Sequence, residues 1–374
     1  MPTVSNMEEF AAAGLYPGDG DPDERRALLE WLSELGFTVE QLSTPIARDN
    51  LAAIASDYRI VPGERMSQAD AAARAGLDPE RFDQLATAFG FVTLDHDPPG
   101  DRRFTTDEIE LFSILASLTS IFSHDEAVSV VRVIGSSFAR LGEAFVSMFL
   151  VDVESPHMRA GDTELMLAHK IYDATALLDG LTARLDPVLR RHVLQAIERG
   201  RHGTVGVERL LYRNAIAFVD LVGFTPVSSD LDAPELATFL REFEGEAHDV
   251  ATRCGARLVK VIGDEVMFAA PDANAACLAA STLMAGFGAG STRVVPRAGV
   301  AFGDVLTRSG DYYGAVVNLA SRLVDHAVPG EVLVTEAVTV AATDCRFDVA
   351  GRRVVKGFDD PVAVWTLRPQ SASS

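Results

Sequence analysis

The chain has 374 residues, 48% of them hydrophobic and 23% charged, with a formal net charge of −21. That composition is globular rather than disordered, and the length suits two domains. The negative charge disfavours general binding to nucleic acid or anionic membrane, since both rest on Lys and Arg neutralising phosphates. It leaves room for a nucleotide substrate, because a triphosphate site needs a few local cations and a metal, not a basic surface. Cys254, Cys277 and Cys345 have no metal-ligand spacing and read as reduced thiols. Glu8 and Glu9 stand where a signal peptide would be basic, and no window offers about 18 uninterrupted apolar residues. The expectation is a cytoplasmic protein with no membrane-spanning helix.

From Asp23 to about Ile197 the pattern is helical, with apolar residues at three- and four-residue spacing in segments such as Arg25 to Leu35 and Glu108 to Phe122. Longer helical stretches run from His124 to Leu150 and from Asp162 to about Leu185, with Ser155-Pro156 between them as a breaker. Asp186-Pro187 then starts a further helix through Ile197. Periodicity is lost and glycine gained from Arg199 to Gly206, which places a linker at 199–206 between a helical domain at 1–198 and a second domain at 207–368, with a flexible tail at 369–374.

Beyond the linker, Ala215 to Leu221 (AIAFVDL) is an apolar run with one acid and predicts a buried strand. Pro234 to Cys254 predicts an amphipathic helix ending at Gly255. Arg257–Ile262 and Glu265–Ala270 flank Gly263-Asp264 as a β-hairpin. A helix from Asn274 to Phe287, a strand from Val295 to Phe302, a helix from Gly314 to Asp325 and a strand from Glu331 to Thr335 follow, and the pair Phe347–Val355 and Val362–Leu367 closes the chain. The order β-α-β-β-α-β with additions predicts a ferredoxin-like α+β domain with its helices on one face, behind an all-α N-terminal domain.

Asp220 sits near the end of the apolar strand, and Asp264 follows 44 residues later at the hairpin tip. An acid in an apolar strand is costly unless it is paired or binds a metal. Two such carboxylates brought together in a sheet suit two Mg²⁺ or Mn²⁺ ions, which prefer oxygen ligands and can activate a hydroxyl and neutralise phosphate charge. Either acid alone reads better as an ordinary cap or turn residue.

The combination is more specific. Phe218-Val219-Asp220-Leu221-Val222-Gly223-Phe224-Thr225, Lys260-Val261-Ile262-Gly263-Asp264-Glu265-Val266-Met267-Phe268 and Asp311-Tyr312-Tyr313-Gly314-Ala315-Val316-Val317-Asn318-Leu319-Ala320-Ser321-Arg322-Leu323 resemble, in order, three motifs of the class III nucleotidyl cyclases. The resemblance covers about residues 206–368. It implies an adenylyl cyclase in which Asp220 and Asp264 hold two divalent ions, Mg²⁺ or Mn²⁺, and Lys260 and Asp311 read the base. A Lys donor and an Asp acceptor match N1 and N6 of adenine, and would face like groups on guanine. Asn318 would position the ribose, Arg322 would stabilise charge on the α-phosphate, and Lys356 would contact the outgoing phosphates. In the family the metal-binding acids and the remaining residues come from opposite partners, so a chain carrying both halves implies a homodimer with shared sites. The Asn318/Arg322 pair, four apart on one helix, is also compatible with a plain solvated stripe.

The resemblance gives the helical N-terminal half a regulatory role. Six of the eight histidines (His96, His124, His157, His169, His192 and His202) precede residue 206, which admits a proton as the stimulus, and the apolar helices from Glu108 to Leu150 admit a lipid-like ligand or simply a bundle core. Met66 to Phe89 reads as helix, turn at Gly76, helix, and with Arg102–Ile109 resembles the winged helix-turn-helix of MerR-type regulators. Asp78, Glu80 and Asp83 oppose only Arg81 there, which is poor chemistry for a phosphate-lined groove, so DNA binding is not expected. Gly263-Asp264-Glu265 also resembles the diguanylate cyclase turn, but Ile262 stands where a glycine belongs and Asp311, Asn318 and Arg322 have no role in those enzymes.

Overall fold

The computed structural model describes residues 7–17, 21–44, 47, 50–94, 97, 101–118, 121–156, 162–201, 211–288 and 294–368. The chain divides into two units between Arg190 and Arg191. The first unit is built from helices α1 (Met7–Ala12), α2 (Pro22–Glu34), α3 (Val39–Leu42), α4 (Leu51–Ile60), α5 (Gln68–Ala75), α6 (Pro79–Phe89), α7 (Thr106–Leu118), α8 (His124–Phe149) and α9 (Glu164–Thr182). Strands β1 (Met66–Ser67) and β2 (Arg103–Phe104) pair antiparallel around α5 and α6. Helix α10 (Asp186–Arg201) crosses the division, so the first three residues of the expected linker are helical, while 202–206 lie outside the described residues.

Two cores hold this unit. Leu28, Leu29 and Leu32 on α2 are fully buried with Leu42, Leu51, Ile54 and Ala168, and Arg25 on α2 pairs with Glu164 on α9 at 3.1 Å. The second core is aromatic. Phe82, Phe89, Phe91, Phe104 and Phe112 pack ring on ring, with the Phe82 and Phe112 centroids 4.4 Å apart. Helices α5 and α6 meet at Gly76, left-handed at φ 71°, as a helix–turn–helix. The outer face of α6 carries Glu80 and Asp83, and Asp83 is bound by Arg102 and by Gln68 Nε2 at 3.1 Å. That face has the wrong sign for a nucleic-acid backbone.

The helix His124–Glu154, which ends in a π-helical turn at Leu150–Glu154, is by length and composition apolar enough to cross a membrane, although Arg132, Arg140 and Glu143 interrupt its sequence. Its N-terminal part is core, with Val128 and Val131 buried. Beyond Ile134 its apolar side chains Phe138, Val146, Met148 and Val151 are exposed. They do not form the bundle core expected of this stretch.

The second unit is organised by β3 (Leu211–Val222). After it come α11 (Phe224–Asp230), α12 (Ala233–Arg253), β4 (Arg257–Ile262), β5 (Glu265–Ala270), α13 (Ala273–Gly288), β6 (Val295–Arg308), β7 (Asp311–Tyr313), α14 (Ala315–His326), β8 (Val332–Thr335), α15 (Glu336–Ala341), β9 (Phe347–Arg353) and β10 (Val362–Leu367). The sheet order is β4-β5-β3-β6-β8-β10-β9, with β7 paired to β6 and only β6–β8 parallel. This is the expected ferredoxin-like arrangement with an added outer half.

The expectation of helices on one face is corrected. Ala215, Ala217 and Val219 of β3 pack with Phe243 and Val250 of α12 and with Ala276 and Leu283 of α13, whereas Ile216 and Phe218 pack with Ala320 and Val324 of α14. Helix α14 therefore covers the opposite face. A strand buried on both sides loses the apolar–polar alternation of a one-sided strand, which is why Ala215 to Val219 reads as a continuous apolar run. Helix α12 begins at a capping box. Asp232 accepts from the Glu235 N–H at 2.9 Å, and Glu235 accepts from the Asp232 N–H at 3.0 Å.

Gly299 on β6 sets how closely α14 approaches. A Cβ there would stand 2.8 Å from Leu323 Cβ and from the Val324 nitrogen, and closer still to the Ala320 carbonyl oxygen. We predict that Gly299→Ala costs about 1–3 kcal/mol through overpacking, read as a lowered thermal midpoint.

Candidate active site

Asp220 is fixed by the β3 ladder, opposite Glu265 on β5 and Arg297 on β6. Gly263-Asp264 closes the two-residue turn between β4 and β5, with Gly263 at φ 64°, as a turn with a glycine in the first central position requires. The turn is tied to β3 by the Leu221 N–H, which donates to the Asp264 carbonyl at 3.2 Å. The sequence-predicted acids Asp220 and Asp264 are therefore neighbours at one end of the sheet.

The electrostatics of that end are dominated by acid. Burial is the main reason that the Asp264 carboxyl lies above its ordinary range. Its own backbone hydrogen bond opposes the shift, Asp220 adds to it, and Arg297 opposes it less. Glu265 is pushed up to about 7, first by burial and then by Asp220, Asp325 and Asp264. Arg297 is the cation that offsets them. Its Nε and Nη2 both reach Asp220 Oδ2 at 2.8 Å, and Nη1 donates to the Asp325 carbonyl at 3.4 Å.

This donor set fits a hard divalent cation. Two half-buried carboxylates, Asp220 and Asp264, repel each other unless a positive charge sits with them. Among the described residues no three His, Cys, Asp or Glu side chains converge as a ready-made ion cage. One or two carboxylates, with the remaining positions left to phosphate oxygens and water, is the way Mg²⁺ is usually held.

Lys260 on β4 and Asp311 on β7 also come together. Lys260 Nζ donates to Asp311 Oδ2 at 2.6 Å, and Asp311 Oδ1 accepts from the Tyr312 N–H at 2.8 Å. The structure brings this predicted pair into direct contact, satisfied by each other. Asn318 and Arg322 stand on the exposed side of α14, and among the described residues Arg322 forms an ion pair with Asp325 alone, at 3.6 Å. Neither is brought against Asp220 or Asp264 by an ion pair or hydrogen bond. Lys356 is exposed in the turn between β9 and β10, and β6, β8 and β10 separate the edge strand β9 from β3. It is not gathered with the others in this chain.

Sequence reasoning missed Arg297, Glu265 and Asp325. Glu265 lay inside a quoted motif without a role. Arg297 could be found only from strand register, because it stands 77 residues from the acid that it pairs with.

Residues 212–368 match the model of the adenylate and guanylate cyclase catalytic domain, and residues 12–198 match that of the adenylate cyclase regulatory domain. The chain belongs to the adenylate and guanylate cyclase family. An uncharacterised protein of Mycobacterium tuberculosis is 32% identical over 363 residues, 97% of this chain and 94% of that protein. The adenylate cyclase of Streptomyces griseus is 32% identical over 307 residues, 81% of this chain and 74% of that protein. A pH-sensitive adenylate cyclase of Mycobacterium tuberculosis is 28% identical over 92% of this chain and 88% of its own length. Among solved structures, the adenylyl cyclase from P. aeruginosa aligns with 43% of this chain and 96% of its own, at 25% identity and a TM-score of 0.39. In this cyclase-family chain the motif residues Asp220, Asp264, Lys260, Asp311, Asn318 and Arg322 all fall inside the matched catalytic region.

The raised Glu265 carboxyl has a consequence for stability. Its unfolded value is 4.5 and its folded value about 7, so between these the folded chain holds a proton that the unfolded chain has released. That contribution is present at low pH and is lost as pH rises through 7. In metal-free buffer the thermal midpoint should fall from about pH 5 to about pH 8, and less steeply in Glu265→Gln. Equal slopes in the two proteins would show that Glu265 titrates normally.

Proposed function

We propose that this chain is an adenylyl cyclase that converts ATP to 3′,5′-cyclic AMP and pyrophosphate. The observation that carries the reading is that one sheet presents the adjacent acids Asp220 and Asp264 together with a Lys260–Asp311 pair in direct contact. The adenylate cyclases among its relatives support the same substrate.

Two divalent ions held by Asp220 and Asp264 would supply an activated ribose 3′-hydroxyl and charge neutralisation at the leaving pyrophosphate. The chain's own residues do the rest. Lys260 donates to adenine N1, and Asp311 accepts from the N6 amine. Each leaves the other to do so, and guanine, with donor and acceptor reversed, would meet like groups. Asn318 positions the ribose. Arg322 faces the α-phosphate as the 3′-hydroxyl attacks in line, and the fixed guanidinium stabilises the charge that develops there. Arg297 must exchange its hold on Asp220 as the ions and triphosphate enter. Lys356 serves the outgoing phosphates.

The working unit is a homodimer. Asn318 and Arg322 are exposed and make no ion pair or hydrogen bond to Asp220 or Asp264 of their own chain, which supports a second chain bringing its α14 to those acids. Residues 1–198 form the regulatory domain, 199–206 the linker, 207–368 the catalytic domain and 369–374 a tail. The pH-sensitive relative makes the proton the first stimulus to test.

Purified protein with Mn²⁺ should form cyclic AMP from ATP and little cyclic GMP from GTP, and Arg322→Ala should lose about 10²–10³-fold in kcat. Mixing Asp220→Ala with Arg322→Ala in equal amounts should restore about a quarter of wild-type activity, since half the dimers carry one intact site of two. No recovery would mean that both residues act within one chain. Removing residues 1–205 should change the response between about pH 5.5 and 8, and an unchanged profile would remove the regulatory role.

A further inference from the structure

A separate group of arginines stands in the second unit, away from the metal-facing acids. Arg199 on α10, Arg213 near the start of β3 and Arg257 at the start of β4 line a cleft of about 300 Å³ with Tyr212, Asn214 and Tyr312. Arg213 precedes Asp220 by seven residues of continuous strand, roughly 23 Å along β3.

Two of these guanidinium groups are held in place by neutral groups. Arg213 lies over the Phe302 ring at 5.1 Å from its centroid, and Arg257 lies over Tyr312 at 5.5 Å. Arg257 also donates to the Gly310 carbonyl in the β6–β7 turn. Among the described residues no carboxylate forms an ion pair with Arg199, Arg213 or Arg257, although Asp304 stands opposite Arg213 in the β3–β6 register. Acids outnumber Lys and Arg by 54 to 33 in this chain, so three arginines gathered with no ion pair to a carboxylate among the described residues are not explained by ordinary surface pairing.

We propose that this cleft is a binding site for a phosphate-bearing anion with two or more phosphate groups. A planar guanidinium matches phosphate oxygens in a bidentate fork, and stacking on an aromatic ring orients the fork before the ligand arrives. A singly charged anion would leave the cleft positive, whereas a diphosphate balances it. The Asn214 amide and the tyrosine hydroxyls add neutral donors for the remaining oxygens. The volume is at the lower end of small-molecule sites, enough for a diphosphate or triphosphate group. The site is independent of the cyclase reading, since it uses none of the residues assigned to catalysis.

The test is calorimetric titration of the full chain with inorganic pyrophosphate and, separately, with ADP, in EDTA. The expected result is saturable binding that weakens with added salt and persists in Asp220→Ala. In Arg213→Gln/Arg257→Gln it should weaken at least about tenfold, the effect of roughly one charge-assisted contact. Circular dichroism and the thermal midpoint of the double variant establish that it is folded. Arg199→Gln, on an exposed helix, provides a second variant that should weaken binding without touching the sheet. Tighter binding of ADP identifies a nucleotide ligand, and equal or tighter binding of pyrophosphate identifies the free polyphosphate. Absence of saturable binding, binding that the arginine variants leave unchanged, or binding lost in Asp220→Ala would each overturn the proposal.

Discussion

The catalytic unit depends on forcing carboxylates together where water is partly excluded. Burial and Asp220 raise the Asp264 carboxyl, and burial with Asp220, Asp325 and Asp264 raises that of Glu265, with Arg297 as the opposing cation. Left to themselves these groups would separate or take up protons, and Glu265, pushed up to about 7, is the one whose protonated form is most favoured. What prevents separation is the apolar centre of the sheet. Ala215 to Val219 of β3 are buried on both faces, the β3–β5 and β3–β6 ladders run through them, and the acids begin where the β3–β5 ladder ends. The cost of gathering acids is thus carried by packing elsewhere, and the resulting donor set is one that fits a hard divalent cation.

The second polar pair follows different logic. Lys260 and Asp311 satisfy each other across two strands in a partly exposed position, so the pair costs little to form and little to open. A ligand that offers one acceptor and one donor at the right separation can replace it without leaving a buried group unpaired. On the proposed function this makes the free chain's own ion pair the competitor that adenine displaces, and a base with reversed polarity has nothing to offer in exchange.

Much of this was legible in the sequence because the chemistry is local. The continuous apolar run of Ala215 to Leu221 fixed a buried strand, Gly263-Asp264 fixed a hairpin, and the spacing from Asp311 to Asn318 and Arg322 fixed one helix. The same run also carried a signal that was not used. A strand apolar at successive positions must be covered on both faces, so a helix on the second face was required, and α14 is that helix. Other features were not legible at all. The pairing of Asp220 with Arg297 is a matter of register between strands far apart in sequence. The extension of β6 to Arg308 depends on β3 and β7 lying beside it. In the first unit, the periodicity of His124 to Leu150 implied a core helix, but only its first part has neighbours to bury it. Amphipathic spacing states which residues share a face, not whether anything covers it.

Helix α14 is where these arguments meet. Its inner side, Ala320, Leu323 and Val324, is pressed onto β6 so closely that Gly299 has no room for a methyl group, while its outer side carries Asn318 and Arg322, which make no ion pair or hydrogen bond to Asp220 or Asp264. A helix packed that closely resists tilting, since a close-packed contact is sensitive to displacement of even a methyl's width. If those residues act on the same substrate as the acids, the missing motion has to be supplied by a second chain and not by this one. On the proposed function, the tight seating of α14 makes association with a second chain the route by which Asn318 and Arg322 meet a substrate held by Asp220 and Asp264.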